Sequence, residues 1–425
     1  MDKAGLACGR ERQGLAMKRI FLSLGSLMVS AAILLAGGGL HGTLISVRAN
    51  LEGFALVSIG VIMAGYYAGF ILGCVATPEM VRRVGHIRVF AALAALVAAS
   101  SLVFPIEPYA PLWFALRCVV GFSFAGLYMI VESWINERST NENRGQVLAI
   151  YRFVDLGAMT LGQYMLLLAD PGGFVLFSLV AILVALSLVP VSLTRIEVPA
   201  PPSHARLDLK RLWRVSPLAV AGCAAVGMSN SAFWAISPVF VQDLGYGAAM
   251  VANFMGMTIV VGALAQWPVG LLSDVIDRRS VLLIVSLGAA LAGAAIALTA
   301  DAGVWWLLAG AGAYGIFGMS LFGLCAAHAN DHAEPEDFVS VSGGLLLVYG
   351  AGSVIGPLVA PLAMTAFGPA ALFSYTALVH AGLFVFGLWR VTRRSRVPSQ
   401  QQEQYVPLAK PSTPAVFEFD PRSPD

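Results

Sequence analysis

The sequence predicts an all-α membrane protein with twelve transmembrane helices in two pseudo-symmetric six-helix bundles. Three observations carry that expectation: composition, the length of the apolar runs, and an internal repeat. Of 425 residues, 58% are hydrophobic and only 12% are charged, against about 25% charged in an ordinary soluble domain. A soluble globule of this length must wet its surface with charge. A soluble enzyme, a nucleic-acid binder and a disordered chain are therefore excluded. The net charge of +2 implies no polyanionic partner.

A bilayer core about 30 Å thick needs roughly 20 apolar residues per helix. Twelve runs qualify: 20–47, 54–76, 87–104, 110–133, 146–169, 172–194, 216–241, 247–271, 280–300, 303–328, 340–366 and 370–391. Several exceed the minimum, which tilt accommodates. The first is too long for a cleaved signal peptide and leads straight into further spans. Residues 1–19 read as a cytoplasmic leader, and Met17, just before Lys18 and Arg19, is an alternative start.

Basic residues set the orientation. With the amino terminus inside, the inner loops receive Lys18, Arg19, Arg82, Arg83, Arg88, Arg138, Arg144, Arg278, Arg279, and the clusters 195–214 and 390–396. The outer loops receive Arg48 alone. This asymmetry predicts a multi-pass membrane protein with both termini cytoplasmic. The stretch 195–215, with Pro199, Pro201 and Pro202 followed by Arg206, Lys210, Arg211 and Arg214, reads as a cytoplasmic linker between bundles 20–194 and 216–391. The Pro- and Gln-rich tail 392–425 reads as disordered. Cys74, Cys118, Cys223 and Cys325 sit singly in apolar runs, Cys8 in the leader, and their spacing fits no zinc or disulfide pattern.

The halves repeat. Gly53-Phe54 before the second span matches Gly245-Tyr246 before the eighth at an offset of 192 (245 − 53), and Met63 matches Met255. An offset of 194 lays Gly121 on Gly315, Leu127 on Leu321 and Gly162 on Gly356. Parallel six-helix repeats imply two bundles about an axis along the membrane normal, with a site between them near the midplane.

Gly270-Leu-Leu-Ser-Asp274-Val-Ile-Asp277-Arg278-Arg279 joins the eighth and ninth spans. It resembles the G-x-x-x-D-R-x-G-R-R signature loop of the major facilitator superfamily, with Val275 and Asp277 departing from the pattern. The corresponding first-half loop keeps Arg83 and Gly85, but Arg82 stands in the Asp position. Arg117-Cys-Val-Val-Gly121 resembles the family's R-x-x-x-G motif. Gly352-Ser-Val-Ile-Gly356-Pro357 resembles its G-x-x-x-G-P motif, displaced into the eleventh span. The resemblance covers about 20–391 and is closest to a sparsely characterised bacterial branch. It implies a secondary transporter, with Arg117 facing the cavity, there to bind an anionic group or to influence a proton site. It also implies that the signature-loop Asp meets the start of a helix in the opposite half.

Charges inside the hydrocarbon cost about 2.5–3.5 kcal/mol each near a helix centre on insertion scales, so each is a candidate. Arg117 and Glu132 lie in the fourth span, Arg152 and Asp155 in the fifth. Arg152 and Asp155 are three apart and share a face. The pair reads either as a proton-coupling site or as an ion pair joining helices, with a substrate contact as a third option. Glu132, near the inner end of its helix, reads as a gate or interfacial residue. The charges balance, two Arg against two carboxylates, and name no substrate charge. His41 follows Gly37-Gly38-Gly39, which permits close approach or a helix break. Asn230 and Trp234, four apart, lie on the seventh span, the symmetry partner of the first. Tyr349, Asn253 and Gln266 add possible hydrogen bonds. Tyr66, Tyr67, Trp305 and Trp306 read as packing or interface aromatics. His328, Asp331 and His332 read as a helix end meeting water rather than a metal seat.

A cytoplasmic gate is expected from complementary loops: Asp274 against Arg144, and Arg82 or Arg83 against Asp337, with Arg279 in the signature loop. No P-loop is present, and no set of nucleophile, base and orienting group suggests an enzyme. The expected activity is secondary transport of a small solute, coupled to protons, by alternating access. The alternative is a carrier-like sensor or structural protein that does not transport. No cofactor or metal is expected. The expected partners are a small-molecule substrate, protons and the lipid bilayer, with no nucleic acid, and the unit is a monomer.

Overall fold

The computed structural model describes residues 3–139, 144–193, 208–333, 338–393 and 413, with side chains from residue 24 onward except at 144, 145, 338 and 339. Hydrocarbon offers backbone N–H and C=O groups no water, so each apolar run closes its hydrogen bonds within itself as a helix. The amino-terminal bundle is α1 (Lys3–Leu51), α2 (Leu56–Val84), α3 (His86–Val103), α4 (Ala110–Glu137), α5 (Arg144–Met165) and α6 (Val175–Leu193). A short helix, α7 (Leu209–Val215), lies in the expected linker. The carboxy-terminal bundle is α8 (Pro217–Asp243), α9 (Ala248–Val275), α10 (Arg278–Thr299), α11 (Val304–Gly318), α12 (Leu321–Asn330), α13 (Phe338–Phe367) and α14 (Ala371–Val391).

Among the described residues, 11 helices are long and apolar enough to cross a membrane, with Val304–Asn330 counted as one. The twelfth expected span, α5, is absent from that set. Arg144, Arg152, Asp155 and Gln163 dilute its hydropathy. It still packs against α1 within its own bundle and against α9 of the other, with Arg152, Asp155 and Gln163 buried. Helix α1 continues toward the amino terminus to Lys3, through residues read as a leader, and its apolar part is Leu24–Leu51. The expected tail lies outside the described residues except for Thr413.

The repeat is visible as repeated contacts. Helix pairs α2–α4, α1–α5, α1–α6 and α3–α6 recur as α9–α11, α8–α13, α8–α14 and α10–α14. Gly121 lies so close to α2 that an added Cβ would strike the Tyr66 carbonyl, and a Cβ on Gly315 would strike that of Thr258. Gly162 meets the Ala36 carbonyl in the same way, and Gly356 that of Met228. Tyr66 to Thr258 and Ala36 to Met228 are shifts of 192, the offset read from the sequence. The turn glycines obey it too. Gly53 and Gly245 have φ of 71° and 84°, a left-handed region where a side chain is strained.

The bundles meet along α1–α8, α2–α13 and α5–α9. At the face remote from the start of α1, Ser46 Oγ donates to the Ala235 carbonyl at 2.7 Å. Asn50 Nδ2 lies 3.3 Å from Gln242 Oε1 and 3.3 Å from Asp243 Oδ1. A Cβ on Gly60 would strike the Pro357 carbonyl. That mouth is closed by direct contact between the halves.

Candidate functional site: a cavity between the halves

A cavity with about 1020 Å³ of empty space, part of it continuous with solvent, lies between the bundles. Helix α1 contributes His41 and Thr43, α2 Tyr66, Tyr67 and Phe70, and α4 Arg117 and Phe124. Helix α5 contributes Met159 and Gln163, while the other half supplies Trp234 from α8 and Tyr349 and Ser353 from α13.

Arg117 and Gly121 are four apart on α4 and so face the same neighbour, α2. The missing side chain at Gly121 lets α2 approach, which sets the Tyr66 ring 4.6 Å from the Arg117 guanidinium carbon. Arg117 as a whole is 3% exposed. Its Nη1 lies 3.2 Å from His41 Nδ1, and its Nε has no hydrogen-bond partner. His41 is held between Phe104 and Phe124 at ring distances of 5.6 and 6.4 Å. The glycine run before it acts by close approach, since α1 is unbroken there. Gly38 abuts Phe124 and Tyr128, and Gly39 abuts the Met159 backbone. Thr43 donates to Gln163 Oε1 at 2.6 Å, and Gln163 Nε2 donates to the Gly39 carbonyl at 3.3 Å.

A second, smaller cavity with about 360 Å³ of empty space is lined by Asp155, Leu156, Met159, Trp234, Ile259, Ala263, Gln266 and Met319. Met159 and Trp234 line both cavities, so the two are neighbours across those side chains. Asp155 Oδ2 lies 3.6 Å from Arg152 Nη1. That is too long for a hydrogen bond, and all three Arg152 guanidinium nitrogens lack a hydrogen-bond partner. Glu132 is fully buried. It accepts a hydrogen bond from the Tyr151 hydroxyl at 3.2 Å and another from the Thr413 hydroxyl.

The structure thus brings together His41, Arg117, Trp234 and Tyr349. It groups Arg152 with Asp155, and keeps Glu132 apart. Asn230 is buried with Oδ1 unpartnered, but it lines neither of these cavities. Asn253 is exposed on α9 and faces away. Tyr66 and Tyr67, read from sequence as packing aromatics, are cavity walls. Thr43 and Gln163 were missed, and only their polarity inside apolar runs could have flagged them. Trp305 and Trp306 are exposed at the start of α11.

Each expected gate pair has one member whose side chain lies outside the described residues. Arg82 and Arg83 are exposed and pair with Glu79, one turn earlier on their own helix. Asp337 and the Arg144 side chain lie outside the described residues. Asp274 lies 3.1 Å from Arg278, which is fully buried and reaches Asp331 at 2.6 Å. Arg279 pairs with Asp277 at 3.0 Å, and Asp277 also caps α10. The signature loop is therefore tied to α12 of its own half. His328 and His332 meet edge to face at 4.8 Å between ring centres, and no cluster of three potential metal ligands occurs among the described residues.

The chain matches the sequence profile of the Major Facilitator Superfamily over residues 20–302 and 253–419. An uncharacterized MFS-type transporter, YcaD, of Escherichia coli strain 536 is 25% identical over 366 residues, covering 85% of this chain and 92% of that protein. Among solved structures, a point mutant of the nucleoside transporter NupG superposes with a TM-score of 0.75 at 12% identity, covering 87% of this chain and 100% of that one. A D-xylose–proton symporter superposes with a TM-score of 0.67 at 14% identity, covering 92% of this chain and 99% of that one.

Proposed function

The chain belongs to the major facilitator superfamily and is a membrane transporter rather than an enzyme, and from that premise we propose proton-coupled movement of a small organic solute by alternating access. The observation that carries this reading is the pair of neighbouring cavities. The larger holds the solute against Arg117, His41, Trp234 and Tyr349. The smaller holds Asp155. Because Trp234 and Met159 belong to both walls, a solute that displaces Trp234 alters the surroundings of Asp155.

The coupling chemistry follows from the loose Arg152–Asp155 pair. A carboxylate near a guanidinium stays ionised while the pair is engaged and takes a proton when it is not. At 3.6 Å the pair is close enough to feel the charge and too far apart to share a hydrogen bond. Both side chains rise from α5, so a rotamer change of either one against the α9 wall engages or releases the pair. Glu132, held by hydroxyl donors, is a structural contact at the inner end of α4.

In this reading the basic loops face the cytoplasm of a bacterial inner membrane, both termini lie on that side, and a monomer suffices, since both halves of the cavity come from one chain. The closed mouth at Ser46–Ala235 is the outer one. In the opposite stage Arg82 and Arg83 leave Glu79 for Asp337, and Asp274 meets Arg144 at the start of α5, where the helix dipole favours a carboxylate.

The test is solute flux into proteoliposomes under an imposed pH gradient. Accumulation should collapse in Asp155→Asn, while exchange of labelled for unlabelled solute persists. Gradient-driven accumulation that survives in Asp155→Asn would remove the coupling role. A protein that moves no solute under any gradient would leave the sensor reading in its place.

A further inference from the structure

The four buried charges of the amino-terminal half are balanced in number, but they are not balanced in place. Glu132 accepts from Tyr151 and Thr413, and Asp155 opens on the smaller cavity. No Asp or Glu is among the residues that line the larger one. The fixed charge in that wall is Arg117, whose neighbours are a histidine ring and a tyrosine face. Among the described residues its only hydrogen bond is the one to His41. The other half brings no counter-charge, since the repeat lays Ala311 on Arg117 (117 + 194).

We infer that the solute is an organic monoanion with a flat aromatic or apolar body, its carboxylate or equivalent anionic group bound to Arg117 and its body held by Tyr66, Tyr67, Trp234 and Tyr349. This rests on the transport reading above and deepens it by naming the solute class. A guanidinium out of water is costly until an anion with matching geometry meets it, and its planar fork fits a carboxylate by two parallel hydrogen bonds. If His41 Nδ1 accepts from Arg117, Nε2 carries the ring proton, and Nε2 has no partner. It is a second donor beside the guanidinium. One fixed positive charge selects a monoanion over a dianion. A cavity walled by Tyr66, Tyr67, Trp234 and Tyr349 selects an organic body over an inorganic ion.

The test uses 2-naphthoate, its neutral amide and the corresponding primary amine as probes, on the purified full-length protein. Thermal stabilisation gives apparent affinity, and proteoliposome uptake gives transport. The acid should bind at least about tenfold more tightly than the amide, the equivalent of about 1.4 kcal/mol, and the amine should not bind. Arg117→Gln should erase the preference of acid over amide, and Arg117→Lys, which keeps the charge without the fork, should retain part of it. Equal binding of acid and amide, a preference for the amine, no stabilisation by any probe, or an unchanged preference in Arg117→Gln each overturns the inference. Acid that binds with this preference but never enters proteoliposomes leaves the solute class standing and removes the transport reading. Gradient-driven uptake of the amine or amide instead does the reverse.

Discussion

The two halves share a skeleton and differ in what they bury. Both hold their helices together by backbone approach at matched glycines, Gly121 and Gly315 or Gly162 and Gly356. Without a hydrophobic force between helices in lipid, close packing at small residues is what joins them, so both halves need it equally. The buried charges are not repeated. The offset of 194 lays Arg117 on Ala311, Glu132 on Ala326, Arg152 on Leu346 and Asp155 on Tyr349. The amino-terminal half carries the charged chemistry, and the carboxy-terminal half supplies a largely apolar and aromatic wall against it. The same division, inverted, appears in the loops. The first-half loop keeps Arg82 and Arg83 in water with Glu79, whereas the second-half loop buries Arg278 between Asp274 and Asp331. Repeats preserve what the fold requires and diverge where function or local stability is decided.

The sharpest break in that comparison is between Asp155 and its counterpart Tyr349. A positioned proton-transfer group is worth about 100-fold in turnover, so Asp155→Asn should lower gradient-driven flux by about that factor. Tyr349→Phe should change solute affinity and leave coupling intact. Equal loss of coupling in both would end the assignment of chemistry to one half. The loops provide the next test. Asp331→Asn strips a partner from a buried guanidinium and should cost about 3 kcal/mol, read as a fall in melting temperature in detergent. Glu79→Gln in the first-half loop should leave that temperature unchanged.

The shared skeleton should respond symmetrically. Gly121→Ala and Gly315→Ala each force a Cβ into a carbonyl and should each destabilise by about 1–3 kcal/mol. A large effect at one site with none at the other would mean that the repeat is not a packing equivalence. The smallest effect is at the closed mouth. Ser46→Ala removes one cross-half hydrogen bond, worth about 1 kcal/mol, and should raise the labelling rate of a cysteine placed at Thr43.

Much of the architecture was legible before any coordinates. Span lengths and the repeat offset depend on local chemistry: how many apolar residues cross a bilayer, and where a turn needs glycine. The candidate cavity was legible only in part. Arg117, His41, Trp234 and Tyr349 stood out because polar or large aromatic groups are conspicuous in oil. Tyr66 and Tyr67 looked like packing because an aromatic's role depends on which side of its helix is empty. Arg82 and Arg83 pair with Glu79, while Asp337, the partner expected for them, lies outside the described residues. A long arginine takes whichever carboxylate is nearest, and Glu79 lies one turn away on the same helix.

What the sequence by itself determined was the inventory: helices that must close their own hydrogen bonds in lipid, a duplicated frame, and four charges that lipid does not tolerate. Only the tertiary structure decided how those charges are partitioned. Counted along the chain they cancel. In space Asp155 and Glu132 are turned away from the main cavity, and Arg117 faces it alone, because helix rotation sets which carboxylate shares a compartment with which cation.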